Sequence, residues 1–205
     1  KTHYLSTKSP KITQGSIRNL DVLKTMPNLK KLQLQHNAVN SLEALAALDN
    51  LEILNVSFNA IASLKPLSGC TRLTELVADN NSLTNLDGLQ TLSLLQLLSV
   101  DYNSISDISA LTANAALKNV SIASNSVTDI SAMKKLGNLE ILDFSGNHVE
   151  SLPEWPDDCP LQTIDGSYNA LTSLDTLGRL QSLTHVYMDY NLITNIDALE
   201  DYFCL

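Results

Sequence analysis

The chain has 205 residues, of which 44% are hydrophobic, and a formal net charge of −9. This apolar share is enough for one continuous core, yet no apolar run reaches the ~18 residues of a transmembrane helix. The acidic balance argues against nucleic acid as a ligand, because phosphates would be repelled.

The charge is unevenly spread. Residues 1–31 carry Lys1, Lys8, Lys11, Arg18, Lys24, Lys30 and Lys31 against Asp21 alone, so the remaining residues hold all of the acidic excess. Lys1–Pro10 has no apolar stretch of the signal-peptide kind. Ile12, Gly15, Ile17, Leu20 and Leu23 then occupy positions that recur through the rest of the chain. Residues 1–28 are therefore expected to form an N-terminal segment with one degenerate repeat, in which Gly15 replaces an asparagine.

From residue 29 the repetition is strict. Asn37, Asn59, Asn81, Asn103, Asn125, Asn147, Asn169 and Asn191 fall 22 residues apart in the frame Leu-x-x-Leu-x-Leu-x-x-Asn-x-Leu. Leu29, Leu32, Leu34, Asn37 and Val39 open the series, and Leu183, Val186, Met188, Asn191 and Ile193 close it. A fixed period in this range with this pattern is the signature of a leucine-rich-repeat solenoid. The expected fold is an α/β repeat solenoid: a right-handed coil with a concave parallel β-sheet and short 3₁₀ or extended convex segments. Residues 29–204 form eight repeats, and Leu205 begins a truncated ninth, which reads as part of a longer protein.

Each unit has its own physical reasons. The Leu-x-Leu segment is a short strand whose alternate side chains point inward. The chain must then turn into the core, and an asparagine side chain can satisfy both a donor and an acceptor there. The asparagine ladder is accordingly read as structural. Apolar residues three apart, such as Leu42, Leu45, Leu48 and Leu51, suit a 3₁₀ return arm. Ser151–Pro160 breaks the rhythm with three prolines and the single tryptophan, Trp155. The prolines predict an extended return, and the sharper alternative is a convex docking site around Trp155. Ala78 and Gly166 in the inner strand column predict a looser core. Cys70, Cys159 and Cys204 lie too far apart in repeat phase to pair, at ~4.8 Å per coil. They read as free thiols, which leans towards a reducing compartment.

The variable strand positions project onto the concave face, where solenoids bind partners. Phe58, Tyr102, Tyr168, Tyr187 and Tyr190 gather there, with His185 and the carboxylates Asp79, Asp101, Asp143, Asp165 and Asp189. Tyrosine combines apolar area with a polar tip and is a favoured interface anchor. Stacked aspartates one strand apart repel and call for a compensating cation, a basic partner or water. His185, Asp165 and Ser167 invite comparison with a catalytic triad, but no nucleophile elbow, phosphate loop or metal-spacing motif accompanies them. No catalytic residue, metal site or cofactor is assigned. Sequons at Asn55, Asn80 and Asn119 would place glycans on or beside the same face.

Asn103-Ser-Ile-Ser-Asp-Ile-Ser-Ala-Leu111 and Asn125-Ser-Val-Thr-Asp-Ile-Ser-Ala-Met133 resemble the 22-residue repeat of bacterial internalins. The same repeat class occurs in a regulatory subunit of a eukaryotic protein phosphatase. The internalin resemblance implies a secreted or surface-attached bacterial recognition protein that binds a protein partner on its concave face, and the acidic balance fits a partner with a basic or polar surface. The lack of a long apolar run argues against membrane insertion, and an uncapped C-terminal edge is available for self-association. Two other readings stay open: an intracellular scaffold holding an enzyme such as a phosphatase, and a structural spacer in a larger surface protein.

Overall fold

A computed structural model of the chain describes residues 5–6 and 17–202. Among these residues nine short strands run in one parallel sheet in chain order: β1 Leu5–Ser6, β2 Lys31–Gln33, β3 Ile53–Asn55, β4 Glu75–Val77, β5 Leu97–Ser99, β6 Asn119–Ser121, β7 Ile141–Asp143, β8 Thr163–Asp165 and β9 His185–Tyr187. From β2 onward the register follows the repeat, with Leu32 opposite Leu54 and Leu54 opposite Leu76. The central residue of each strand from β2 to β8 points into the core, which the repeat fills with Leu, Ile or Val, and Val186 of β9 packs partly buried against it. At the first coil Leu5 pairs with Leu32, a longer step than the repeat. Ile12 and Gly15 lie outside the described residues. Ile17 is placed, its carbonyl accepting from the Ala38 amide at 3.0 Å.

The three-residue spacing of the return arms becomes a hydrogen-bond ladder. Leu45 N–H donates to Leu42 O at 2.8 Å, Leu48 to Leu45 at 2.9 Å and Leu51 to Leu48 at 2.9 Å. These are i to i−3 bonds, the 3₁₀ pattern, and each bonded residue is buried. Short 3₁₀ helices accordingly occupy arms such as Lys65–Gly69, Ser109–Ala113, Ser131–Lys135 and Asp175–Arg179. Among the described residues there is no α-helix, and no helix is long and apolar enough to cross a membrane.

Between β7 and β8 the proline-rich stretch has no 3₁₀ helix, and three of its residues are prolines, which have no backbone N–H to donate. Trp155 there is 4% exposed and packs in the core. An indole so buried offers nothing to a partner, so the convex docking reading of this stretch is set aside. The loose core expected at Gly166 is also corrected. A Cβ at Gly166 would lie 2.5 Å from Phe144 Cζ and 2.9 Å from Met188 Sδ. The large Phe144 ring, fully buried in the preceding coil, fills the space that glycine vacates.

Cys70 and Cys159 are free and buried, and Cys204 lies outside the described residues. Burial pushes the Cys70 thiol up to about 11, and its Sγ donates to Leu45 O at 3.4 Å. It is a core side chain, far from a reactive thiolate. Asn114 takes the corresponding seat two coils on, where its Nδ2 donates to Leu89 O at 2.8 Å and Leu92 O at 2.9 Å.

Candidate functional site: the sheet face and its left-handed aromatic column

Three residues beyond each of the strands β2–β9 the backbone turns sharply. Seven non-glycine residues there adopt left-handed backbone: His36, Phe58, Asn80, Tyr102, Ser124, Tyr168 and Tyr190, with φ between 52° and 58°. Gly146 fills the eighth seat at φ 64°. From His36 to Tyr168 this conformation lets the N–H reach the next coil, as when Phe58 N donates to Asp79 O at 2.9 Å and Tyr168 N to Asp189 O at 2.8 Å. The asparagine that follows closes the turn. Asn125 Nδ2 donates to Val100 O at 3.0 Å, Ile122 O at 3.0 Å and Ala123 O at 3.1 Å, while its Oδ1 accepts Ile105 N–H at 2.9 Å.

Left-handed backbone costs an L-residue about 1–2 kcal/mol. Glycine or asparagine relieves that cost, and Gly146 and Asn80 show that the turn accepts both. The fold therefore demands the φ angle but not an aromatic side chain. Strain carried by exposed aromatics that the turn does not need points to use elsewhere. The strain was missed in the sequence, although a glycine and an asparagine sharing one repeat column was the available signal.

These aromatics are open to solvent. Phe58, Tyr102, Tyr168, Tyr187 and Tyr190 expose 46–73% of their surface. Stacking holds them in two groups: His36 on Phe58 at 4.2 Å between ring centroids, and Tyr168 on Tyr190 at 4.3 Å. His185 lies 6.4 Å from Tyr187. Desolvation, then the neighbouring Tyr190 and Asp189, raises the Tyr168 phenol above its ordinary value.

The carboxylates of the face divide into two arrangements. Asp79 Oδ1 accepts Ser99 Oγ at 2.6 Å and the Asp101 amide at 3.0 Å, both in the next coil. Asp101 Oδ1 likewise accepts Ser121 Oγ at 2.7 Å and the Ala123 amide at 2.8 Å. Asp143 and Asp165, opposite one another in the β7–β8 register, instead cap the Ser145 and Ser167 amides of their own coils, each at 2.9 Å. Hydroxyls and amides thus hold the stacked aspartates, and no cluster of three or more metal-ligating side chains occurs among the described residues. Asp165 bonds the backbone of Ser167 rather than its hydroxyl, and His185 Nδ1 sits 2.9 Å from Thr184 Oγ1. These bonds do not assemble the triad suggested by repeat phase.

Burial, opposed by the Ser121 hydrogen bond and aided by Asp79, pushes Asp101 up to about 6 from an ordinary 3.8. A folded-state value above the unfolded one favours the protonated native form. The stability it lends is complete below about pH 4 and is lost as pH rises through about 6. Asp101→Asn keeps an oxygen for both donors and removes the charge. Its thermal midpoint is expected to exceed the parent's above pH 6 and to match it near pH 4. A midpoint difference independent of pH would show that the charge is not the cause.

The comparisons with known proteins agree with this architecture. A family model described as Leucine Rich repeats (2 copies) matches residues 27–69 and 49–91, and one described as Leucine Rich Repeat matches residues 138–159. An internalin, InlF, from Listeria monocytogenes superposes with a TM-score of 0.86 at 26% identity, covering 90% of this chain and 55% of that one. The chain thus spans about half the length of InlF. Internalin C2 from the same organism gives 0.79 at 26% identity, covering 86% of this chain and 78% of that chain. The structure of PEPR1–AtPEP1 gives 0.79 at 27% identity, covering 87% of this chain and 27% of that chain. Comparison with curated protein sequences gives no match. Domains of this repeat class are typically non-enzymatic protein-binding modules. The chain thus carries leucine-rich repeats and resembles the internalins in fold.

Proposed function

We propose that this chain is a protein-recognition module that binds a partner with a basic or polar surface on its sheet face, the concave side of the coil. The observation that carries the reading is the column of exposed aromatics held in left-handed seats and flanked by aspartates. The fold does not require those side chains, whereas an interface gains from each of them. The likeness to internalins supports a bacterial surface or secreted setting, and the PEPR1–AtPEP1 complex is a related solenoid seen bound to AtPEP1. Catalysis has no part in this reading.

The test is direct. Tyr168→Ser, Tyr187→Ser and Tyr190→Ser combined should abolish capture of the partner while leaving thermal unfolding nearly unchanged, because these rings are exposed. Undiminished capture by a folded triple variant would remove the assignment. A second reading, an intracellular scaffold, draws on the free thiols of Cys70 and Cys159. The complete reading frame decides between the two: a signal peptide with an anchor selects the surface, and its absence selects the scaffold.

A further inference from the structure

The aromatic column is interrupted at its middle. Between Tyr102 and Tyr168 the left-handed seats hold only Ser124 and Gly146. A Cβ at Gly146 would lie 3.2 Å from Ser124 Oγ, so these two small residues pack together as a floor. Three coil steps of ~4.8 Å set the two tyrosines about 14 Å apart along the axis. After allowing about 3.5 Å for aromatic contact distances, the opening admits one polypeptide segment. Elsewhere His36 stacks on Phe58 and Tyr168 on Tyr190, and Asn80 alone stands between Phe58 and Tyr102, a gap one coil shorter.

The charge beside this opening has one sign. Asp101, Asp143 and Asp165 lie along its strand side, in β7, β8 and the turn after β5. Across the strand-face columns Glu75, Asp79, Asp101, Asp143, Asp165 and Asp189 stand against Lys31 as the one lysine or arginine. We propose that the opening between Tyr102 and Tyr168 seats a segment of a protein partner rich in arginine or lysine. Its aliphatic stems lie between the two rings, and its cationic heads meet Asp101, Asp143 and Asp165. Cations favour aromatic faces and carboxylates alike, and long basic side chains bury their stems while keeping the head polar. A neutral or acidic segment would leave the carboxylates facing nothing or facing repulsion. This inference rests on the sheet face being the partner surface.

The probe is a short peptide of alternating arginine and serine, titrated into the ¹⁵N-labelled chain, with a glutamate–serine peptide as control. The largest amide shift changes are expected at Ser124 and Gly146, and only with the basic peptide. Ser124→Trp fills the opening and keeps every carboxylate. Asp143→Asn with Asp165→Asn keeps the opening and removes charge. Each variant should bind the peptide about tenfold more weakly than the parent. Unchanged affinity in both folded variants, or no shift changes at all, overturns the proposal. Changes confined to Tyr187 and Tyr190 overturn the slot but leave the sheet face as the partner surface. Changes confined to the return arms overturn both.

Discussion

Asn147→Ala is expected to lower unfolding stability by about 3 kcal/mol or more, the largest effect of any single truncation in the asparagine ladder. Asn147 is 4% exposed. Its Nδ2 donates to Ile122 O and Phe144 O at 2.9 Å and to Ser145 O at 3.3 Å, and its Oδ1 accepts Val127 N–H at 2.9 Å. Alanine supplies none of these groups and leaves the Val127 amide buried without a partner, at about 1–3 kcal/mol for that group alone. The lost bonds link one coil to the next, so the damage falls on the nearest-neighbour coupling that stabilises a solenoid. Asn37 is the comparison: it is less buried, and its Oδ1 meets the Ile17 amide at 3.4 Å. Asn37→Ala should cost clearly less. Urea unfolding of the two variants checks the ranking, and equal losses would contradict it.

Gly88→Ala should be similarly damaging for a different reason. Gly88 has φ 103°, and a Cβ there would lie 2.6 Å from Leu64 O and 2.8 Å from Lys65 Cα. Both contacts are backbone of the preceding coil, so no side chain can swing away. Strain of this kind with overpacking is expected to cost about 3 kcal/mol or more. Gly137, with nothing within 4 Å of its Cβ position, is the internal control. Gly137→Ala should be neutral or gain up to about 1 kcal/mol by restricting the unfolded chain. Thermal melts of both variants measure the contrast, and a Gly88→Ala protein as stable as the parent would contradict the packing described.

The fold was legible because its determinants are local and repeated. Leu32, Leu54 and Leu76 stack in register since each is the same atom group in the same turn, and leucines three apart suit the i to i−3 bonds of a 3₁₀ arm. What escaped the sequence depends on relations between coils. Whether Gly166 leaves a void turns on the reach of Phe144 in the coil before it. Whether the aspartates stand as bare charges turns on Ser99 and Ser121 one coil away. The positions of Phe58, Tyr102 and Tyr168 on the face followed from repeat phase, but their left-handed backbone did not, because aromatic residues seldom adopt it. The slot between Tyr102 and Tyr168 likewise emerges only when Ser124 and Gly146 are read as neighbours of those rings.

Site-specific photo-crosslinking tests most directly whether the sheet face, rather than the return arms, is the binding surface. A benzophenone side chain is placed at Tyr102, at Tyr168, or at the exposed Thr112 in the Ser109–Ala113 arm. Each protein is then irradiated with the arginine–serine peptide. Adducts are expected from Tyr102 and Tyr168 and not from Thr112. Equal or greater yield from Thr112 would contradict the assignment of this face.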